Sequence, residues 1–298
     1  MTDFGIKDGN VGVMKGVILG IAPSTQLVDL SHVIEPQNVR EAALILARSA
    51  PYFPKGTVHV VVVDPGVGTA RRPMAARLGD QYFVGPDNGI LSILLEACET
   101  RGLPVEFVHL DKPQFWLQDV SYVFHGRDIF SPTAAHLSLL KPKNLARLGS
   151  PVSDPVRISI PRPRRGAASL TGEILHIDHF GNLASNIRVE HALELIQNSQ
   201  DLVGVEPGLY PAASGIGLEG GKLRETIETV VQSGPRLRVD IAGLEIQGVI
   251  GTFGERKPGE VVALFGSTGN LIVSVVNGSA ARVLKLEVGQ PIELKVSA

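Results

Sequence analysis

Several short stretches of this chain carry carboxylates, imidazoles and glycines where an apolar run has just ended. In open α/β sheets that edge is where ligands bind. Residues 64–72 (DPGVGTARR) follow a β-branched run that delivers Asp64 to such an edge. Gly66 and Gly68 let the backbone approach a ligand closely, and Arg71 is near enough in sequence to fold back and pair with Asp64. The blander alternative is a strand-end turn with a surface arginine. Residues 2–5 (TDFG), with Asp8 just beyond, offer a carboxylate able to accept two hydrogen bonds from a ribose diol, or else to cap the helix-like segment 11–21. Residues 124–128 (FHGRD) set His125 beside Gly126, in a setting more exposed than most core histidines, while Arg127 and Asp128 can pair to hold the loop. Residues 176–182 (HIDHFGN) put His176 and Asp178 on one strand face and His179 in the turn, a pattern open to a metal. No second ligand cluster has matching spacing, so a carboxylate facing an ammonium group, with Phe180 stacked on a base, is the better reading. Residues 85–89 (GPDNG) repeat the strand-end pattern and could equally be a helix cap.

These residues need elements to hold them. Residues 38–50 open with Asn38 and Glu41 in capping positions, and Val39, Ala42, Ala43 and Leu46 follow at helical spacing. Residues 57–63 (TVHVVVV) show little alternation, as expected of a strand buried on both faces. A capped helix over 88–98 and a strand over 105–110 continue the βαβ rhythm of an α/β domain with a largely parallel sheet. Residues 151–166 hold four prolines and four arginines and cannot continue a helix or a central strand. They divide the chain into an N-terminal domain over 1–150 and a C-terminal domain over 167–298. Beyond them, short strands at 171–177, 183–189, 236–241, 243–250, 260–265, 270–276 and 291–296 alternate with glycine-rich turns. With one helix near 190–198, this describes a small antiparallel barrel or sandwich. The chain opens on what reads as a strand-end loop with no strand ahead of it, as a start placed too late would leave it.

Bulk properties narrow the chemistry. A formal net charge of −2 argues against nucleic acid as the main partner. No stretch approaches the ~20 apolar residues of a membrane span, and the start lacks a signal peptide's charged and apolar regions. A cytoplasmic protein is expected. Cys98 is the single cysteine, which excludes an internal disulfide framework and a cysteine metal cluster. There is no G-x-S-x-G elbow, no Walker lysine motif and no dinucleotide fingerprint.

Taken together and in order, the stretches resemble the S-adenosylmethionine (SAM) hydroxide adenosyltransferase family, which shares its fold with the fluorinases and chlorinases. The matching segments are TDFGIKDGNVGVMKGVI at the start, DLSHVI at 29–34, FPKGTVHVVVVDPGVGTARR at 53–72 and GPDNGIL at 85–91. They continue with FHGRDIFSPTAAHL at 124–137, IDHFGNLASNI at 177–187 and FGSTGNLIVSVVNGSAA at 265–281. The resemblance implies an N-terminal α/β sandwich domain and a C-terminal β-barrel domain. It also implies a homotrimer, with each site between the N-terminal domain of one subunit and the C-terminal domain of the next. Asp64, Arg71 and His125 fall on the family's water-handling set, and Asp3 on the acid that holds the ribose hydroxyls. Asp8, Asp178 and Ser267 match positions around the methionine amino and carboxylate groups. Phe180 and Asn182 match adenine-side residues, and the backbone near Asn277 meets the adenine edge. Asn10 and Gly126 complete the substrate-binding candidates. The halogenases have a tyrosine in place of Asp64 and a serine in place of Gly126, so water is the expected nucleophile. Thr268 and Gln37 stand where fluorinases carry arginine and tryptophan. SAM is then the substrate, with no cofactor and no metal. Three other readings are a halogenase, a non-catalytic SAM sensor that would dispense with the water-handling set, and a metal hydrolase built on His125, His176 and His179.

Overall fold

The computed structural model describes residues 1–198 and 222–296. The chain divides into two compact units, Met1–Ser159 and Ile160–Ala298.

In the first unit the chain runs through helices α1 (Asn10–Ile21) and α2 (Val39–Ser49), then strands β1 (Val58–Val60), β2 (Pro73–Leu78) and β3 (Gln81–Pro86). Helix α3 (Ser92–Thr100), strand β4 (Val105–His109), helix α4 (Ser131–Leu139) and a short strand β5 (Ser150–Pro151) follow. Helix α2 begins as its sequence dictates: the Asn38 side chain accepts the Glu41 N–H at 3.0 Å, and Ala42, Ala43 and Leu46 are buried. Helix α3 starts four residues later than its capping pattern suggests. Asn88 donates to the Val63 carbonyl at 2.8 Å, and Gly89 is held at φ +92° against Ile158, so the chain turns before it coils.

The sheet order is β1-β3-β2-β4-β5. Strand β1 runs parallel to β3, and residues 1–2 extend the parallel pairing through a Thr2–Val62 bridge. Strand β2 is antiparallel to both β3 and β4. The crossover through α3 therefore leaves β3 and β4 in one direction, as a βαβ unit requires, with the hairpin strand β2 inserted between them. The α/β architecture is the expected one, in a mixed sheet. Helices α1 and α4 cover one face through Met14, Ala134 and Leu137, joined by Phe130 just ahead of α4, and these pack with Val62, Ala75, Val84 and Val108. Cys98 lies buried in α3.

The second unit begins with the two-residue strand β6 (Arg164–Arg165), then β7 (Ser169–Ile177), β8 (Leu183–Arg188) and helix α5 (Val189–Asn198). Helix α6 (Lys222–Gln232), strands β9 (Leu237–Ile241), β10 (Leu244–Gln247), β11 (Val261–Phe265) and β12 (Asn270–Val275), helix α7 (Ala280–Leu284) and strand β13 (Pro291–Val296) complete it. The strand order is β10-β9-β13-β7-β8-β12-β11, antiparallel at every pairing. A bridge between Ile250 and Leu264 brings the residues after β10 back to β11, so the sheet is nearly closed, as expected of a barrel. Leu170, Ile174, Leu183, Val239, Val273 and Leu294 fill its interior. No helix among the described residues is long and apolar enough to cross a membrane.

Candidate active site

The β-branched run carries the chain through the core to Val63, and Asp64 is the first residue past it. From there residues 64–71 fold back on themselves. The Val67 N–H donates to the Asp64 carbonyl at 3.2 Å and the Thr69 N–H to the Gly66 carbonyl at 3.1 Å. Gly68 takes φ +76°, and a side chain there would meet the Tyr122 carbonyl at 2.5 Å. The turn returns Arg71 onto Asp64 as a two-pronged pair: Nε donates to Oδ1 at 3.0 Å and Nη2 donates to Oδ2. Both side chains are buried, at 7% and 5% exposure. Removing one partner of so buried a pair strands the other charge and costs about 3–5 kcal/mol.

Arg71 Nη2 also lies 3.1 Å from His125 Nδ1. A guanidinium can only donate, so Nδ1 is the acceptor and the proton of the neutral ring sits on Nε2. Burial, and then the Arg71 charge, push the His125 pKa below the usual imidazole range, which keeps that tautomer neutral. Arg71 Nη1 is buried with no partner among the described residues, and the guanidinium lies over the Phe130 ring at 5.4 Å. The cluster therefore presents donors and a carboxylate in a dry setting.

His125 is aimed by an unusual helix start. Residues Gly126–Phe130 form a single π turn in which the Ser131 N–H reaches back five residues to the Gly126 carbonyl. The Ser131 hydroxyl donates to the same oxygen at 2.7 Å. Asp128, fully buried, accepts from the Ser121 N–H and hydroxyl and from Arg127. Its burial would raise its pKa, but the bonds from Arg127 and Ser121 outweigh that and hold the carboxyl below its usual range. Gly126 is enclosed: a Cβ there would lie 3.2 Å from Met14 Sδ and 3.4 Å from the Phe4 and Phe124 rings.

The other candidates of the first unit are spread along its opening loop. Asp3 accepts the Gln37 N–H at 2.8 Å, so position 37 contacts it through backbone rather than side chain. Asp8 and Asn10 are exposed. Neither Asp3 nor Asp8 caps α1, whose N-cap is Gly9 with no side-chain bond. A cavity of about 560 Å³ borders β1 and α1, and Asp64, Arg71 and His125 do not line it.

In the second unit β7 ends at Ile177 and Asp178 opens a tight turn. Its Oδ1 accepts the N–H groups of Phe180 and Asn182, each at 2.9 Å, and its Oδ2 accepts from Asn182 Nδ2 at 2.7 Å. Gly181 takes φ +86° against Ser279, where a Cβ would come within 2.0 Å of the hydroxyl. The turn leaves Phe180 74% exposed. Ser267 lies exposed in the β11–β12 turn, and Asn277, at φ +55°, in the turn after β12. Three positions of the first unit were not among the site residues that the sequence suggested. They are Phe130 beneath Arg71, Asn88 pinning Val63, and Asp87, which accepts from Arg72 Nε at 2.9 Å and the Val156 N–H at 2.8 Å. The GPDNG stretch signalled a strand end for the last two, though not which loop they would hold.

A protein of Salinispora tropica named (R)-S-adenosyl-L-methionine hydrolase is 38% identical over 299 residues, covering 100% of this chain and 96% of that one. A fluorinase of an Actinoplanes species is 28% identical over 214 residues, covering 63% of this chain and 70% of its own. The crystal structure of an uncharacterised conserved protein from Thermotoga maritima superposes with a TM-score of 0.79 at 32% identity, covering 99% of this chain and 98% of that chain. Residues 1–148 match the SAM hydroxide adenosyltransferase N-terminal domain and residues 222–293 the C-terminal domain of the same name. This chain belongs to the SAM hydroxide adenosyltransferase family.

Proposed function

We propose that this enzyme hydrolyses S-adenosyl-L-methionine to adenosine and L-methionine, by in-line attack of water on the ribose C5′. The observation that carries the reading is the buried Asp64–Arg71–His125 cluster. The higher identity to the named hydrolase than to the fluorinase favours water over halide.

The chemistry asks little of a general acid. The leaving group is a neutral thioether, and the C5′–S bond breaks with its electron pair passing to sulfur. The difficulty is the nucleophile, since neutral water attacks an alkyl carbon poorly. With its Nδ1 engaged by Arg71, His125 offers Nε2–H as a donor that orients the water oxygen. The proton is drawn by Asp64, which keeps lone pairs beyond those given to Arg71. Arg71 holds Asp64 in place and stabilises the developing hydroxide. One C5′–O bond forms, and one proton leaves to solvent for each substrate consumed. Water about 3–3.5 Å from the carbon and opposite sulfur gains several kcal/mol from positioning alone. Exclusion of solvent strengthens the attraction between hydroxide and sulfonium.

Asp3 holds the ribose diol. Asp8, Asn10, Asp178 and Ser267 meet the methionine amino and carboxylate groups, and Asp178 keeps a lone pair for an ammonium after serving its turn. Phe180 and Asn182 take the adenine, with the backbone at Asn277 along its edge and Gly126 beside the reacting centre. The enzyme works as a homotrimer in the cytoplasm, each site drawing on neighbouring subunits. Exposed apolar side chains support that assembly: Ile6, Tyr122 and Val123 in the first unit and Phe180 in the second lack cover among the described residues. Small-molecule recognition fits the net charge of −2 better than nucleic acid does.

The test is incubation with SAM in oxygen-18 water without chloride, with products resolved by chromatography and mass. Adenosine labelled at the 5′ oxygen, with equimolar methionine, is expected. Intact SAM, or 5′-chloro-5′-deoxyadenosine as the main product once chloride is added, overturns the reading.

A further inference from the structure

The loop that carries Asp3 is clamped from a direction the proposed mechanism does not use. The Thr2 N–H donates to the Ser31 carbonyl at 3.0 Å, and the Gly5 N–H donates to the His32 carbonyl at 2.7 Å. Between these backbone bonds runs a side-chain relay. Thr2 Oγ1 accepts the Phe4 N–H at 3.2 Å and lies 2.9 Å from His32 Nδ1, the ring nitrogen that can take the hydroxyl proton when Nε2 carries the ring's own. The proton of the imidazole then lies on Nε2 and is donated to Asp29 Oδ1 at 3.0 Å. The other Asp29 oxygen accepts from Lys15 Nζ of α1 at 2.7 Å. With the Thr2 hydroxyl donating to His32 and the imidazole N–H to Asp29, the Phe4 amide, the hydroxyl and the imidazole each have an acceptor, so the relay restrains the loop to one arrangement. Thr2 is buried, while Asp29 and Lys15 are partly exposed.

Asp3 sits inside this clamp, one residue after the hydroxyl and one before the amide that bonds it. On its far side the Gln37 N–H donates to its carboxylate. Gln37 is at φ +66°, and its own loop leads into α2. Two independent segments therefore grip Asp3: residues 29–32 through Thr2 and the flanking backbone, and residue 37 directly.

We infer that His32 is a positioning residue for the ribose-binding carboxylate, acting through Thr2 to aim Asp3 at the ribose hydroxyls. The inference rests on the proposed function above, since it gives a task to Asp3 within that reading. His32 touches no reacting atom. It reduces the freedom of the loop before substrate arrives, so that both Asp3 hydrogen bonds form without a further ordering cost.

The experiment compares SAM with its 2′-deoxyribose analogue in steady-state kinetics of the full chain. A charge-assisted bond to a ribose hydroxyl corresponds to discrimination of about ten- to hundredfold in kcat/KM, and Asp3→Ala sets the floor of that ratio. In His32→Ala and Thr2→Val the ratio is expected to fall toward the Asp3→Ala floor, chiefly through KM for SAM, while the analogue, which keeps only its 3′-hydroxyl bond to Asp3, loses less. His32→Asn, which keeps an acceptor within reach of the Thr2 hydroxyl, retains the discrimination. Thr2→Val conserves volume and serves if His32→Ala fails to fold. Equal losses on both substrates in folded His32→Ala and Thr2→Val would show general structural support and overturn the positioning role alone. A parent enzyme that leaves SAM intact overturns the proposed function and this role with it.

Discussion

Two aspartates in this chain stand in the same local grammar and are used in opposite ways. Asp64 follows the buried run 61–63 and Asp178 the end of β7, and each precedes a glycine within three residues. Asp64 commits both oxygens to Arg71, in a pair screened from water, and through it to His125. Asp178 commits its oxygens to its own turn, to the N–H groups of Phe180 and Asn182 and the amide of Asn182. The first yields a charged, buried, preset cluster, and the second yields a rigid turn that displays an uncovered aromatic ring. The local motif sets where a carboxylate stands. What the chain supplies next, a returning arginine or a tight turn, decides whether that carboxylate is locked in a buried ion pair or bound into its own loop.

The contrast breaks most readily at Asp64. Asp64→Asn keeps the shape and removes the charge; kcat is expected to fall about 10²–10⁴-fold, the range for loss of a general base, with KM little changed. Asp178→Asn is expected to raise KM while kcat stays within a few-fold. Comparable losses of kcat in both variants, in parallel assays, would dissolve the distinction. Arg71→Lys keeps the charge but loses the fork, and loss of one charge-assisted bond corresponds to about a ten- to hundredfold fall in kcat/KM. If that variant matches the parent, the guanidinium geometry is irrelevant. Phe180→Ala should cost about 1–3 kcal/mol of base stacking, read as a higher KM at constant kcat, and Phe180→Trp should restore it. A drop in kcat alone would place Phe180 with the chemistry instead.

The smallest effect is a pH dependence. His125 accepts from Arg71 only when neutral, and burial together with the Arg71 charge lowers its pKa. Activity should therefore be full at and above the ordinary imidazole range, and should be lost only as pH falls through the depressed His125 value. A kcat/KM profile already falling at ordinary imidazole pH would show that the ring is not held as described. In stability, His59 gives a separate acid limb. It is buried in a stack on Phe83, and burial lowers its pKa to about 4. Stability tied to it is complete above the unfolded imidazole value and declines as pH falls toward 4, a slope that His59→Phe should flatten in thermal melts.

Much of this was legible before any coordinates. The β-branched run TVHVVVV and the spacing from Asp64 to Arg71 foretold a strand-end pair, and the seven short strands of the second unit fall within three residues of their expected bounds. The hairpin β2–β3 was missed because Ala75, Ala76 and Leu78 carry no β-branched signal, leaving only the Gly79–Asp80 turn to mark it. Helix α6, KLRETIETVVQ, was read as part of a turn-rich stretch although its apolar residues recur at helical spacing. Within the candidate site, Asp178's service to its own turn was hidden, because it depends on the φ of Gly181 and on Ser279 closing from another element. The donor role of His125 was hidden too, since a tautomer follows from a neighbour's geometry and not from a residue type.

The π turn at Gly126–Phe130 reaches further than its five residues. It holds one residue more than an α-helical repeat, and each residue advances a helix by about 100°. His125 and the face of α4 that packs on the sheet are thus out of phase by one residue with respect to a regular helix. Deleting a single residue between 126 and 130 would leave a smoother, intrinsically better helix. It would also rotate His125 away from Arg71 while Phe130 and Ala134 kept their places in the core. The direction in which this histidine looks is thus recorded as a phase offset, and a change of length would erase it where changes of residue type would not.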